Sequence, residues 1–176
     1  CCGFIGSNIT KLFLQQGHRV IGIDNFLLGS KEYLPNSSSR FSFHQLDLSD
    51  EKSIDLLNAK IDKKYKIDEI WHLAANSDIK NGNESPKIDL NHTFLSTYNI
   101  LRFAKIRSIK LFRFASSSAV YGDHGDSILN ETSGPLLPIS NYGAMKLASE
   151  GLISASTEGF LDSAITYRFP NVVGLP

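Results

Sequence analysis

The first seven residues contain the motif from which the architecture can be predicted: Cys1-Cys2-Gly3-Phe4-Ile5-Gly6-Ser7. Two glycines three residues apart mark a tight turn. Apolar side chains at helical spacing follow at once, at Ile5, Ile9, Leu12 and Phe13. A short apolar run, 19–24, comes next and ends in an acid, Asp24, which is typical of a buried strand. The opening of the sequence therefore predicts a glycine turn, a helix and a strand, in this order.

The same alternation continues along the chain. Apolar runs predict further strands at 41–46, 67–73, 110–115 and 164–169. Periodic segments predict helices over 50–59, 88–106 and 141–157. Two segments are predicted to be loops: the one after the 67–73 strand, which contains Asn76, Asn81, Gly82 and Pro86, and 122–139, which is rich in Gly, Asp and Pro. Strands that alternate with helices predict an α/β fold with a doubly wound parallel sheet and helices on both faces, in three layers.

The composition excludes several classes of protein. The chain has 176 residues, 41% of them hydrophobic, and its 18 basic residues balance 18 acidic ones. These values fit one domain with a sizeable core and exclude a disordered tail or a basic nucleic-acid arm. No apolar run approaches the roughly 20 residues of a membrane span, so neither nucleic acid nor membrane is an expected partner. The two cysteines, Cys1 and Cys2, are adjacent, which favours a reducing cytosol over a disulfide framework, and no metal-ligand spacing occurs.

The opening turn is a candidate dinucleotide site. A glycine turn at the start of a helix lets free backbone N–H groups approach a pyrophosphate, although a plain helix start would have the same sequence. Gly3 and Gly6 fit the second and third glycines of such a turn, so the first glycine and the first strand are expected to precede Cys1. Asp24 stands where a ribose-binding acid is expected. Because a carboxylate there repels a 2′-phosphate, it favours NAD over NADP.

A second candidate group combines Ser116-Ser117-Ser118 with Tyr142 and Lys146. The tyrosine and the lysine are four residues apart, on one face of a predicted helix. An ammonium near the phenol lowers its pKa, so that a phenolate can act as a base near neutral pH. A serine at the end of a neighbouring strand could share the proton or bind the reacting oxygen. A tyrosine and a lysine at this spacing are common on exposed helix faces. The pair indicates a catalytic site only because a strand that ends in serines precedes it and a glycine turn opens the chain.

Seven stretches in order along the chain resemble the extended short-chain dehydrogenases/reductases of the NAD-dependent nucleotide-sugar epimerase/dehydratase family. They are Gly3-Phe4-Ile5-Gly6-Ser7, Ile23-Asp24-Asn25, Leu46-Asp47-Leu48, His72-Leu73-Ala74-Ala75, the segments 116–122 and 142–146, and the segment 168–174. The resemblance implies that residues 1–176 are an NAD-binding Rossmann domain. It also implies a fragment truncated at both ends, without its first strand and without the C-terminal region that closes over a sugar nucleotide.

The resemblance also implies residue roles. The cofactor-binding residues would be Gly3, Phe4, Ile5 and Gly6 at the pyrophosphate, Asp24 and Asn25 at the adenosine ribose, Asp47 and Leu48 beside the adenine, Leu73, Ala74 and Ala75 along the channel, and Tyr142, Lys146 and Pro170 at the nicotinamide end. The catalytic residues would be Ser117, Tyr142 as acid and base, and Lys146, which also lowers the pKa of the tyrosine. The substrate-binding residues would be Ser117, Ser118, Tyr142 and Asn171.

The activity that the resemblance implies is epimerisation of a nucleotide sugar, most simply at C4 of a UDP-sugar, through a transient ketone and in a homodimer. Alternatives are a related decarboxylase, reductase or dehydratase, and a non-catalytic NAD-binding sensor. Ser118 and Ala119 stand where 4,6-dehydratases of the family carry an Asp-Glu pair, which weighs against a dehydratase. A sensor has no need of the Ser117, Tyr142 and Lys146 set. Thr93 replaces a family asparagine and could take over its contact near the ribose.

Overall fold

The computed structural model describes residues 1–36 and 38–174. The strands are β1 (Val20–Asp24), β2 (Phe41–Gln45), β3 (Glu69–His72), β4 (Leu111–Ser117) and β5 (Ser163–Phe169). The helices are α1 (Phe4–Gln15), α2 (Glu51–Lys60), α3 (Ile79–Glu84), α4 (Pro86–Asp89), α5 (Ser96–Ile106) and α6 (Asn141–Gly159). All five predicted strands are confirmed with small shifts at their ends. None of the described helices has both the length and the apolar character that crossing a membrane requires.

The strands are parallel, as predicted, but they form two ladders. Strand β1 pairs with β2, from Val20 opposite Phe41 to Asp24 opposite Gln45. Strands β3, β4 and β5 form the second ladder in that order. Within the described residues no strand lies between β1 and β3 to connect the two ladders. Because the carboxyl ends of parallel strands share one edge, that edge is where polar residues of several strands can meet.

Helices cover both faces of the three-stranded ladder, which confirms the layered α/β prediction. Successive side chains of a strand point to opposite faces. On β3, the Trp71 ring lies 5.4 Å from the ring of Phe13 in α1, whereas His72 Nε2 lies 3.0 Å from Thr97 Oγ1 of α5. The α5 side holds the hydrophobic core, which is centred on the fully buried Phe112 and Phe114.

The helix predicted over 88–106 starts earlier than expected and changes its pitch. Helix α4 continues through a π-helical turn, Leu90–Leu95, into α5 without a break. The preceding segment, predicted as a loop, contains α3, whose first turn is capped by Asp78. Sequence reasoning missed α3 because glycine and asparagine are poor helix formers. Tertiary contacts hold it instead, including the hydrogen bond from Asn141 Nδ2 to the Gly82 carbonyl (3.3 Å).

Candidate active site

A cleft of about 690 Å³ runs along the carboxyl ends of the strands. The predicted site residues that line it are Gly3, Phe4, Ile5, Gly6, Asp24, Asn25, Asp47, Leu48, Leu73, Ala74, Ala75, Ser117, Tyr142, Lys146, Pro170 and Asn171. Ser118 is the exception. It opens a short 3-10 turn, Ser118–Val120, with an exposed side chain outside the cleft lining, because the chain turns away immediately after β4. The structure thus places all but one of the predicted residues along the same cleft.

The glycine turn leaves the start of α1 open. Gly3 is the residue before the helix, and no side chain caps the first N–H groups. A Cβ atom at Gly3 would meet nothing within 4 Å, whereas a Cβ atom at Gly6 would lie 3.0 Å from Cys1 Cα. Gly6 therefore permits the helix to pack closely on the turn, and Gly3 keeps room beside the free N–H groups. Such a helix start can hold an anion.

Asp24 presents an ionised carboxylate at the end of β1. Its oxygens accept hydrogen bonds from the backbone N–H groups of Cys2 (2.8 Å) and Phe26 (2.9 Å). Burial alone would raise the pKa of Asp24, but these hydrogen bonds lower it below its ordinary value. Since the carboxylate is ionised and borders the cleft, it can accept hydrogen bonds from hydroxyl groups of a ligand.

The thiols of Cys1 and Cys2 lie within 4.8 Å of each other and of the Asp24 carboxylate, a grouping that the sequence spacing did not predict. Cys2 is fully buried, and burial followed by the charge of Asp24 raises the pKa of its thiol. The protonated thiol is a poor metal ligand and a poor nucleophile. Cys2 therefore packs the turn as a small apolar residue.

Asp47, the second acid of the cleft, is engaged by its own neighbours. Its Oδ1 atom accepts hydrogen bonds from the Ser49 N–H (2.8 Å) and hydroxyl (2.7 Å), and its Oδ2 atom accepts one from Asn25 Nδ2 (3.2 Å). Burial works against ionisation, but the hydrogen bonds from Ser49 and Asn25 lower the pKa of Asp47. The pair of Asn25 and Asp47 thus joins the ends of β1 and β2 beside the cleft.

The phenol of Tyr142 meets the serine at the end of β4. Burial raises the pKa of Tyr142, the Asp89 carboxylate raises it further, and the neighbouring Ser117 hydroxyl opposes the rise. The net shift is therefore opposite to the lowering expected from Lys146, because burial dominates and the Lys146 ammonium donates to the Ala115 carbonyl.

Lys146 is 2% exposed and points toward the end of β4. Its Nζ atom donates a hydrogen bond to the Ala115 carbonyl (2.5 Å) and lies 4.7 Å from the centre of the Phe114 ring. The same atom is 5.6 Å from the centre of the Tyr142 ring. Burial lowers the pKa of Lys146 to about 7, and the Glu150 carboxylate opposes this shift. Lys146 therefore exchanges its proton near neutral pH, unlike an exposed lysine.

The start of α6 holds Tyr142 close to the turn that follows β4. The Ser140 hydroxyl caps the helix by accepting a hydrogen bond from the Gly143 N–H (3.0 Å). A Cβ atom at Gly143 would lie 2.5 Å from the Ala119 carbonyl oxygen. Only a residue without a side chain allows this approach of the helix to the backbone.

Replacing Gly143 by alanine is therefore expected to lower the free energy of unfolding by about 1–3 kcal/mol, because helix or turn must move to relieve the contact. Gly151→Ala is the matched control, since it lies in the same helix and a Cβ atom there would meet nothing within 4 Å. This control should be stabilised by up to about 1 kcal/mol. Denaturant unfolding of the two variants checks the prediction, and equal stability of both would contradict it.

Sequence reasoning missed Asn76, which is buried and lines the cleft. Its N–H donates to the Thr93 hydroxyl (3.3 Å), and its Nδ2 donates to Asp89 Oδ1 (2.8 Å). Thr93, expected near the ribose, is fully buried outside the lining and accepts this hydrogen bond instead. The sequence signal for Asn76 was its position, because it comes shortly after strand β3 and directly after the small residues Ala74 and Ala75.

An uncapped glycine turn, an acid at the end of the next strand and a Ser-Tyr-Lys group in the same cleft define a dinucleotide-binding protein of the short-chain dehydrogenase/reductase type. The sequence profile of the NAD dependent epimerase/dehydratase family matches residues 2–176. The chain belongs to this family.

Three known proteins illustrate the likeness. UDP-glucose 4-epimerase of Halalkalibacterium halodurans is 28% identical over 172 residues, which are 98% of this chain and 49% of that protein. A dTDP-glucose 4,6-dehydratase of Neisseria gonorrhoeae is 30% identical over 97% of this chain and 50% of its own length. The crystal structure of the UDP-glucose 4-epimerase of Thermus thermophilus in complex with NAD superposes with a TM-score of 0.84 at 27% identity, covering 95% of this chain and 52% of that one. The chain spans about half the length of these relatives.

Proposed function

We propose that the full-length protein is an NAD-dependent epimerase of nucleotide sugars that acts at C4 of a UDP-sugar. The observation that carries the proposal is that Ser117, Tyr142 and Lys146 lie in the same cleft as the open glycine turn. The likeness to UDP-glucose 4-epimerases supports this choice of reaction. An NAD-dependent epimerase needs a cofactor site and an acid–base group side by side, which is what this cleft offers.

The residues of the cleft fit NAD. The free N–H groups at Gly3 and the start of α1 would hold the pyrophosphate, and Asp24 with Asn25 would hold the adenosine ribose. Leu48 and Asp47 would lie beside the adenine, while the nicotinamide end would be held by the residues Leu73, Ala74, Ala75, Tyr142, Lys146 and Pro170. Bound there, NAD would supply the hydride acceptor and donor that inversion at one sugar carbon requires.

Tyr142 is the acid and base of the proposed reaction. Its phenolate takes the proton of the sugar hydroxyl, either directly or through Ser117, and gives it back to the same oxygen at the end of the cycle. The proton balance is therefore zero, as an isomerisation requires. Because burial works against ionisation of the phenol, the positive charge of Lys146 on the same helix face favours the phenolate. Asn171, which lines the cleft, would bind the phosphates of the sugar nucleotide.

A dehydratase is the second candidate, because one relative is a dTDP-glucose 4,6-dehydratase. Elimination of water needs a further acid and a further base near the sugar. Ser118 and Ala119 occupy the two positions after the catalytic serine and carry no carboxylate, and Ser118 lies outside the cleft lining. These observations favour epimerisation.

The experiment that tests the proposal incubates the full-length protein with UDP-glucose, UDP-galactose or UDP-N-acetylglucosamine. We expect NMR to show the C4 epimer of at least one of them, with no net change in NAD. A 4-keto-6-deoxy product would instead establish a dehydratase. If bound NAD is not reduced by any of these sugars in a single turnover, the protein is better described as an NAD-binding sensor.

Asp24 is expected to make the protein prefer NAD over NADP. Replacing it by asparagine removes the charge that repels a 2′-phosphate and weakens two hydrogen bonds to the ribose. Since a hydrogen bond to a charged group contributes about 1.5–3 kcal/mol, the affinity for NAD should fall about tenfold or more. Titration of both cofactors checks this. Asp47→Asn is the matched control and should retain the preference; equal affinities of the parent protein for NAD and NADP would disprove the role of Asp24.

A further inference from the structure

Helix α6 presents a third polar residue on the face that carries the proposed catalytic pair. Tyr142, Lys146 and Glu150 are spaced four residues apart, so they form one row along the helix. Each member of the row meets the last residues of β4. Tyr142 lies beside Ser117, Lys146 donates to the Ala115 carbonyl, and Glu150 accepts a hydrogen bond from the Ser116 hydroxyl (2.5 Å). The proposed mechanism assigns nothing to Glu150.

Glu150 connects three elements of the fold. Its Oε2 atom accepts a hydrogen bond from a terminal nitrogen of Arg168 (2.8 Å), and its Oε1 atom accepts one from Arg168 Nε (3.1 Å). Arg168 belongs to β5 and stands opposite Ser116 of β4 in the sheet. The side chains of the pair are 12% and 19% exposed, so both charges are largely removed from water. Glu150 thus joins α6 to β4 and β5 next to the cleft.

The opposite face of Arg168 is also held in place. Its guanidinium lies 5.0 Å from the centre of the Tyr121 ring and donates to the Glu131 carbonyl (3.3 Å). The hydrogen bonds with Glu150 raise the pKa of Arg168 further above its ordinary range, so the guanidinium stays ionised. Burying two charges costs free energy, and apolar pairs of similar size are often as stable or more stable. Stability alone therefore does not explain this pair.

We propose that Glu150 is a positioning residue of the active site: it fixes the end of β4 against α6 through Ser116 and Arg168, and it places its negative charge one helical turn from Lys146. The inference rests on the proposed function, because it assigns a role toward Lys146 in NAD binding.

The other titratable groups around Lys146 do not replace this charge. His72, below the Phe114 ring on β3, is neutral, since burial and the charge of Lys146 lower its pKa to about 3. Asp89 of α4 acts on Tyr142, not on Lys146. The phenol of Tyr142 is neutral at neutral pH because burial raises its pKa. Glu150 is the carboxylate that favours the ammonium of Lys146 among the described residues.

The test measures NAD affinity against pH for the full-length Glu150→Gln variant, which keeps the size and one acceptor of the side chain. Without the carboxylate, Lys146 should lose its proton at lower pH. The pH above which NAD affinity declines should then fall by about one unit relative to the parent protein. Glu150→Asp, which restores the charge, should recover part of the shift. Glu69→Gln is the control. Glu69 pairs with Arg113 (3.5 Å) toward the amino ends of β3 and β4, away from the cleft, so this variant should leave the pH profile unchanged.

A second variant covers the case in which the unpaired Arg168 prevents folding. Replacing both Glu150 and Arg168 by leucine removes the two buried charges together, so it should fold with stability near the parent while retaining the shifted profile. A profile that overlays the parent in Glu150→Gln or in the double variant would overturn the positioning role. NAD affinity can be measured without a sugar. Absence of turnover in the parent protein would therefore contradict the proposed function, whereas the pH dependence of NAD affinity would still test the role of Glu150.

Discussion

Replacing Tyr142 by phenylalanine in the full-length protein is expected to slow single-turnover reduction of bound NAD by about 10²–10⁴-fold, the usual contribution of a general acid–base group. The variant keeps the ring and loses only the oxygen that would exchange a proton with the sugar. NAD affinity should change by less than about threefold, because the proposed cofactor anchors lie in the glycine turn, at Asp24 and at Lys146. The measurement is rapid-mixing absorbance of reduced nicotinamide with a UDP-sugar, alongside NAD titration.

Two further variants separate chemistry from folding. Ser117→Ala should slow the reaction with little change in NAD affinity, because its hydroxyl lies beside the phenol and makes no proposed contact with the cofactor. Tyr98→Phe makes the same chemical change at an exposed position of α5 and should react at the parent rate. If Tyr142→Phe also reacts at the parent rate, Tyr142 is not the base, and the sensor becomes the better description.

Replacing Lys146 by methionine is expected to weaken NAD binding and turnover strongly while making the protein more stable at neutral pH. The lysine is fully buried, and its pKa falls from 10.5 to about 7. In the parent, the unfolded chain binds more protons than the folded one between these values, so the free energy of unfolding rises with pH across this window. Methionine fills a similar volume without a charge, and should add about 1–3 kcal/mol at pH 7.

Chemical denaturation at several pH values checks this prediction. The variant should lose the rise in stability between about pH 7 and 10.5 that Lys146 confers on the parent protein. Lys105→Met, at an exposed position of α5, should change the stability by less than about 0.5 kcal/mol and keep the rise. A lower stability of Lys146→Met at pH 7 would show that the contacts of its ammonium with Ala115 and Phe114 outweigh the cost of burial.

Much of the site could be predicted because it depends on local order along the chain. The glycine turn, the acid after β1 and the serines after β4 all follow from where strands end, and parallel strands end at one edge. The helical spacing of Tyr142 and Lys146 puts both on one face without any knowledge of the fold. The predicted residues therefore line one cleft, apart from Ser118, which the chain reversal after β4 carries outside it.

Other features depend on contacts between distant segments. Helix α3 forms although its sequence favours a loop, since Asn141 and the packing of α4 and α6 hold it. Which strand edges pair with one another decides that the strands form two ladders. The periodicity of the sequence does not predict this pairing. The Asn76 to Asp89 hydrogen bond likewise joins residues that no spacing rule connects.

Local sequence is enough to predict the order of helices and strands, the turn for an anion and the residues that meet at the ends of the strands, because these follow from local periodicity and backbone geometry. The charge states within the cleft depend instead on how the folded chain packs. Tyr142 has a raised pKa and Lys146 a lowered one because of the side chains that exclude water from them. The pairing of Glu150 with Arg168 was likewise decided by the packing of α6 on β4 and β5, since desolvation and ion pairing depend on distant neighbours.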